Sequence, residues 1–209
     1  MQLLPWEERK NHGFFYSIYL NIKMALTNSI EYFTRIPSSK GLKNPLLFSW
    51  VVMMLGTTLH FIVLLAFFNE PLEESMKQFI IHQLGAPPAN IEVIIKQLYI
   101  IFWILIPIFG LILLFILSGL THLALTIITK KKIEFQLTFR IMAYSHVACF
   151  VSPIPFQIGF TIALIWYTIL TINAIKMIFN ISRFQALATV LIPYPVLIIL
   201  LNMLLMQGR

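Results

Sequence analysis

Three histidines sit in the apolar stretches of this sequence, His60, His122 and His146, and they are its first candidates for chemistry. Brought together, they would form the three-nitrogen set that holds a catalytic zinc ion. The spacing opposes this. His60 lies late in one apolar run and His122 late in the next, so an antiparallel pair of crossings puts them at opposite depths. Each is read instead as a hydrogen-bonding partner for a neighbouring helix. A pair of His122 with His146 is easier to bring together and could meet a lipid headgroup. The chain contains no Asp, and its eight Glu fall in terminal or loop segments. An ion-coupled transporter needs a carboxylate near the bilayer midplane. No zinc-protease helix motif, Cys/His cluster or phosphate-binding glycine loop is present. The expectation is therefore a protein that is not an enzyme, with no catalytic, cofactor-binding or metal-binding residue.

The charge run Lys130, Lys131, Lys132 is the sharpest polar feature. It reads first as a stop-transfer anchor, and second as a site for an anionic lipid or acidic partner that Arg140 and Lys176 could extend. Ser145, Ala148, Cys149 and Ser152 recur at helical spacing and make a small-residue face along which two helices can approach closely. The candidate lipid or partner contacts are Lys130, Lys131, Lys132, Arg140, Tyr144, Ser145, His146 and His122.

These side chains must be positioned by membrane helices. Of 209 residues, 59% are hydrophobic and only 11% charged, and the mean hydropathy is +0.85. A soluble domain carries roughly a quarter charged residues, so this chain lacks the polar surface to face water. The net charge of +7 comes from clusters beside apolar runs, which suits anionic lipid and excludes nucleic acid as a partner. Cys149 is the single cysteine and can form no internal disulfide.

The fold expected is all-α: a membrane bundle of five crossing helices preceded by an amphipathic interfacial helix. Residues 1–43 make a cytoplasmic part, with a polar tail over residues 1–12. Residues 44–206 make the membrane domain, with spans at about 44–68, 98–129, 135–151, 155–175 and 186–206. In residues 14–36, Phe15, Tyr19, Ile22, Leu26, Ile30 and Phe33 recur every three or four positions. That stripe fits a helix lying on the membrane surface or one packed on the bundle. Residues 69–97 read as a polar loop broken at Gly85-Ala86-Pro87-Pro88. Span two is long and must tilt, kink near Pro107 or project. Span three is short, and crosses only if Arg140 snorkels toward the headgroups. Pro153 and Pro155 read as a turn, and Pro193 and Pro195 as a kink or break in the last span. Five spans divide Lys and Arg twelve against three between the two sides, and a re-entrant 141–151 divides them eleven against four. Both put the N-terminus in the cytoplasm; five spans put the C-terminus outside it.

As an ordered set, several short stretches resemble a known family: Pro5-Trp6-Glu7, the aromatic helix, residues 44–50 (NPLLFSW), and Ala143-Tyr144-Ser145 leading to Pro153-Ile154-Pro155-Phe156. Trp166 and residues 181–186 (ISRFQA) follow. The chain resembles the Yip (Ypt-interacting-protein) domain family of five-span membrane proteins, its prokaryotic branch most closely. Tyr144-Ser145 is similar to the tyrosine-containing signature of the family's third span. The resemblance implies a bacterial inner (plasma) membrane location and no established reaction. It implies work through lipids, self-association or other membrane proteins, in membrane organisation or trafficking-like roles. The acidic DLYGP-type stretch of eukaryotic members is missing, so small-GTPase binding is not carried over. The alternative is a small-solute or lipid translocator lined by the proline segments.

Overall fold

A computed structural model describes residues 3–37, 41–85, 90–154 and 157–207. Every element among the described residues is helical: α1 (Arg9–His12), α2 (Phe14–Thr27), α3 (Ser29–Thr34), α4 (Lys43–Leu84), α5 (Ile91–Thr129), α6 (Phe135–Ser145), a 3-10 helix (His146–Val151), α7 (Gln157–Phe179), α8 (Arg183–Leu191) and α9 (Pro193–Gln207).

The helix expected over residues 14–36 is split. The Asn28 side chain accepts a hydrogen bond from the Glu31 amide at 3.1 Å and donates to the Glu31 carboxylate at 3.1 Å. It thereby starts a new helix at Ser29, the local bonding that makes Asn a helix-starting residue. The loop expected over residues 69–97 is largely absent. Its Leu, Glu, Lys and Gln residues are strong helix formers, so α4 runs on for 42 residues to Leu84, about 63 Å at ~1.5 Å per residue. Gly85, at φ 75°, ends it in the left-handed conformation that glycine tolerates. The expected break at 86–88 lies outside the described residues.

Among the described residues, four helical stretches are long and apolar enough to cross a membrane: Lys43–Phe67, Ile91–Thr129, Ile158–Phe179 and Arg183–Leu200. Helices α4 and α5 run antiparallel, since Trp103 Nε1 donates to Thr58 Oγ1 at 3.0 Å while a Cβ on Gly110 would meet Met53 Sδ at 2.6 Å. Pro107 is accommodated inside α5. Pro193 opens α9, so the last apolar stretch is divided into two helices. A capping box of Ser182 with Gln185 starts α8.

At the centre lies α6, where every residue from Thr138 to Ser145 is buried. It packs between α4, α5 and α7. With its 3-10 continuation it runs parallel to α4. Contacts advance together along the two: Asn44 and Arg140 share one carboxylate, Ser49 meets His146, and His60 meets Ser152. A Cβ on Gly56 would stand 2.8 Å from the Cys149 carbonyl oxygen and 3.4 Å from Ser152 Oγ. The small-residue face is thus a close helix contact. Leu4, Trp6, Phe33, Phe48, Phe139 and Tyr144 are among the buried residues of the core.

Candidate functional site

The residues expected to form a polar tail are part of that core. Leu4 and Trp6 are fully buried. The Trp6 ring stands edge-on to Phe48 and Phe14, 5.5 and 5.4 Å between centroids. Its Nε1 donates to the Asn44 carbonyl at 2.9 Å. Arg9 covers the other side, with its guanidinium 4.9 Å from the ring centroid, in reach of a cation–π attraction. The tail expectation is corrected for a physical reason: a tryptophan and a leucine that reach a gap between helices are more stable there than in water.

Trp6 delivers Glu7 into the bundle. Glu7 Oε1 accepts from Arg140 Nη1 at 3.0 Å and from the Tyr144 hydroxyl at 2.6 Å. Its Oε2 accepts from Asn44 Nδ2 at 2.7 Å. Arg140 Nη2 donates to the Gly41 carbonyl at 2.6 Å. Both side chains of the ion pair are wholly shielded from solvent, and Arg140 Nε is buried with no partner. Tyr32 completes the cluster, donating to the Tyr144 carbonyl at 3.2 Å. Burial holds the Tyr32 phenol well above its ordinary pKa, so it remains a donor at neutral pH.

Arg140 therefore does not snorkel. An isolated buried guanidinium is costly, and here a carboxylate 133 positions away is brought to it. Glu7 is the member of this cluster that sequence reasoning missed. Only half of a signal was available: Arg140 stands in a largely apolar stretch and Trp6 beside a charged run, but nothing local names Glu7 as the partner.

The other candidates are placed as follows. Tyr144 is in the cluster. Ser145 is buried and donates within its own helix to Ile141 O at 2.9 Å. His146 Nδ1 is 2.8 Å from Ser49 Oγ, and its ring lies 5.1 Å from that of Tyr167. His122 Nδ1 is 3.3 Å from Thr138 Oγ1, and His60 Nδ1 is 2.9 Å from the Ser152 carbonyl. Each thus bonds another helix or its continuation. The three stand at successive levels of the bundle and do not converge. Among the described residues no three His, Cys, Asp or Glu side chains are grouped to hold a metal ion. Replacing His146 by Gln is expected to leave thermal unfolding in detergent nearly unchanged, since Gln keeps a donor and an acceptor. His146→Leu is expected to cost ~1–3 kcal/mol by orphaning Ser49. Equal losses from both would point to a role for the imidazole itself.

Lys130, Lys131 and Lys132 are exposed. Lys130 ends α5 at φ 54°. Lys131 and Lys132 edge a groove of about 390 Å³ whose other walls are Ile133, Glu134, Leu137, Ile178 and Phe179. The rim thus carries two lysines, with the Glu134 carboxylate among otherwise apolar walls.

Most of the expected stripe on α2 and α3 faces outward, but Phe33 is buried and Ile22 is half-buried against the core. Phe15 is 78% exposed, Leu26 61% and Ile30 66%, with Tyr19 also exposed. The face on the bundle is instead Ser17, Ile18, Asn21 and Ala25, joined by Tyr32 and Phe33.

Compared with known proteins, the chain matches the family model of the Yip1 domain over residues 23–205. No curated protein and no solved structure matches it.

Proposed function

The chain belongs to the Yip1 domain family, and on that premise we propose a non-enzymatic protein of five crossings that organises membrane by gripping lipid and other membrane proteins. The observation that carries this reading is the outward stripe of α2 and α3. An aromatic and aliphatic face turned away from its own bundle is stable where it meets the headgroup boundary, which makes these helices an interfacial collar. Lys131 and Lys132, over their groove, are suited to an anionic headgroup. The exposed Ile, Leu and Phe side chains along α5 and α9 offer surface to acyl chains, to other membrane proteins or to a second copy.

Five crossings follow from reading α6 and the 3-10 helix as one. Eleven α-helical residues and six 3-10 residues rise ~1.5 and ~2.0 Å each. That gives about 28 Å, close to the ~30 Å hydrocarbon layer. The 3-10 stretch lengthens a segment that would otherwise fall short. Its parallel course beside α4, from Asn44 to His60, supports a crossing over a re-entrant loop. The excess of Lys and Arg then favours a cytoplasmic N-terminus and a C-terminus beyond the bacterial inner membrane. Reporter fusions after Asn180 and Arg209 test this: activity of a cytoplasmic reporter is expected at the first, and such activity at the second sinks the five-crossing reading.

The collar is tested with an environment-sensitive dye at position 19 of the protein in lipid nanodiscs. Emission typical of an apolar site is expected, stronger when phosphatidylglycerol replaces part of a zwitterionic lipid. Phe15→Glu with Leu26→Glu should move it to water-like emission while far-ultraviolet circular dichroism persists. Water-like emission from the unaltered collar, or indifference to the anionic lipid, counts against lipid contact as the working principle.

A further inference from the structure

The matched domain begins at residue 23, so Trp6 and Glu7 precede it. The side chains that hold the Glu7 carboxylate, Asn44, Arg140 and Tyr144, all lie within it. The bundle supplies the donors and a segment outside the matched domain supplies the acceptor. The donors are not exhausted, because Arg140 Nε is buried without a partner. An arginine fork can engage both oxygens of a carboxylate, yet Glu7 meets Arg140 through one nitrogen only. Beside this socket lies the slot filled by Trp6, closed by Phe48 and edged by the Asn44 carbonyl. The socket therefore reads two features at once, a flat aromatic with a ring N–H and a carboxylate on the next residue.

The segment that fills it has a joint. Gly13 stands at φ 82° with open space around it, a conformation other residues adopt at a cost. It separates α1 from α2 without a side-chain cap on either side. Rotation there would lift residues 3–12 while the inner face of α2 stayed on the bundle.

We propose that this socket is a peptide-binding site for a short segment in which an aromatic residue is followed directly by an acidic one. Residues 3–12 occupy it as a tethered ligand, and a partner presenting the same chemistry engages the protein by displacing them. The tether raises the local concentration of the resident segment to the millimolar range. A free peptide therefore competes poorly with the intact chain and well once the tether is cut.

The test uses the whole protein in nanodiscs with a protease site inserted between His12 and Gly13 and cut after folding. The probe is a fluorescein-labelled synthetic peptide of residues 3–12. The cut protein is expected to take up the probe saturably, at least tenfold more tightly than the uncut protein. A probe carrying Glu7→Gln should bind at least tenfold more weakly than the native probe. Absence of uptake by a cut protein whose circular dichroism and melting are unchanged overturns the proposal. So does equal binding of the two probes, which would leave burial of Leu4 and Trp6 as the whole attraction. Should cutting unfold the bundle, the uncut Glu7→Gln chain takes its place. Its own segment grips less well while Asn44, Arg140 and Tyr144 remain, so it should take up the native probe at least tenfold better than the unaltered chain. Equal uptake by those two chains also overturns the proposal.

Discussion

Arg140→Met is expected to destabilise the bundle by about 3–5 kcal/mol, the usual consequence of removing one member of a buried ion pair. Glu7 would be left shielded from water, held only by the Tyr144 hydroxyl and the Asn44 amide, and the Gly41 carbonyl would lose its donor. Glu7→Gln alone should weaken the pair without unfolding the bundle, because the amide oxygen still accepts from Arg140 and Tyr144. The double variant Glu7→Gln/Arg140→Met is expected to cost less than the sum of the two by about 1–3 kcal/mol, the coupling seen for residues in one network. Denaturant titration in mixed micelles, followed by helical circular dichroism, gives all three values. Strict additivity would mean that the two side chains do not depend on each other, and the central role of the pair would fall with it.

Trp6→Ala should be nearly as damaging, about 3–5 kcal/mol for emptying a fully buried aromatic site. The variant also forfeits the bond to the Asn44 carbonyl and removes the platform beneath Arg9. Trp6→Phe keeps most of the volume and should cost visibly less. Phe184→Ala provides the contrast. That ring is 78% exposed, and its removal should fall within about 0.5 kcal/mol of the unaltered protein. A Trp6→Ala protein as stable as Phe184→Ala would show that the N-terminal segment adds nothing to the bundle.

Helical class, membrane affinity and the apolar runs were legible because they depend on local composition. Stretches such as residues 98–129 admit one physical solution, a helix in lipid. The break before Pro193 and the bonding of His60, His122 and His146 to other helices were legible for the same kind of reason. A proline forbids a donor, and a polar ring in a dry place needs a partner. What escaped was non-local or a matter of degree. Residues 69–97 looked like a loop because they are polar, yet polarity and helicity are compatible, and α4 runs on to its cap at Gly85. The stripe of α2 predicted an amphipathic helix without saying which way it would face, and Ser17, Asn21 and Ala25 proved the inward side. The pairing of Glu7 with Arg140 has no local signature. Arg140 breaks the apolar pattern around it, but Glu7 is one charged residue in a charged run.

The 133 positions from Glu7 to Arg140 also separate them in the time of synthesis. At ~5–20 residues per second, several seconds or more pass between the ribosome joining Glu7 to the chain and joining Arg140. During that interval Trp6 has no complete pocket and Glu7 no counter-charge, so the segment waits beside the ribosome while α4 and α5 are made. When α6 emerges it brings a charged side chain toward lipid that would resist it alone. The waiting carboxylate is then at hand to receive it. This N-terminal segment thus settles late, and its docking closes the cluster only once α6 has been made.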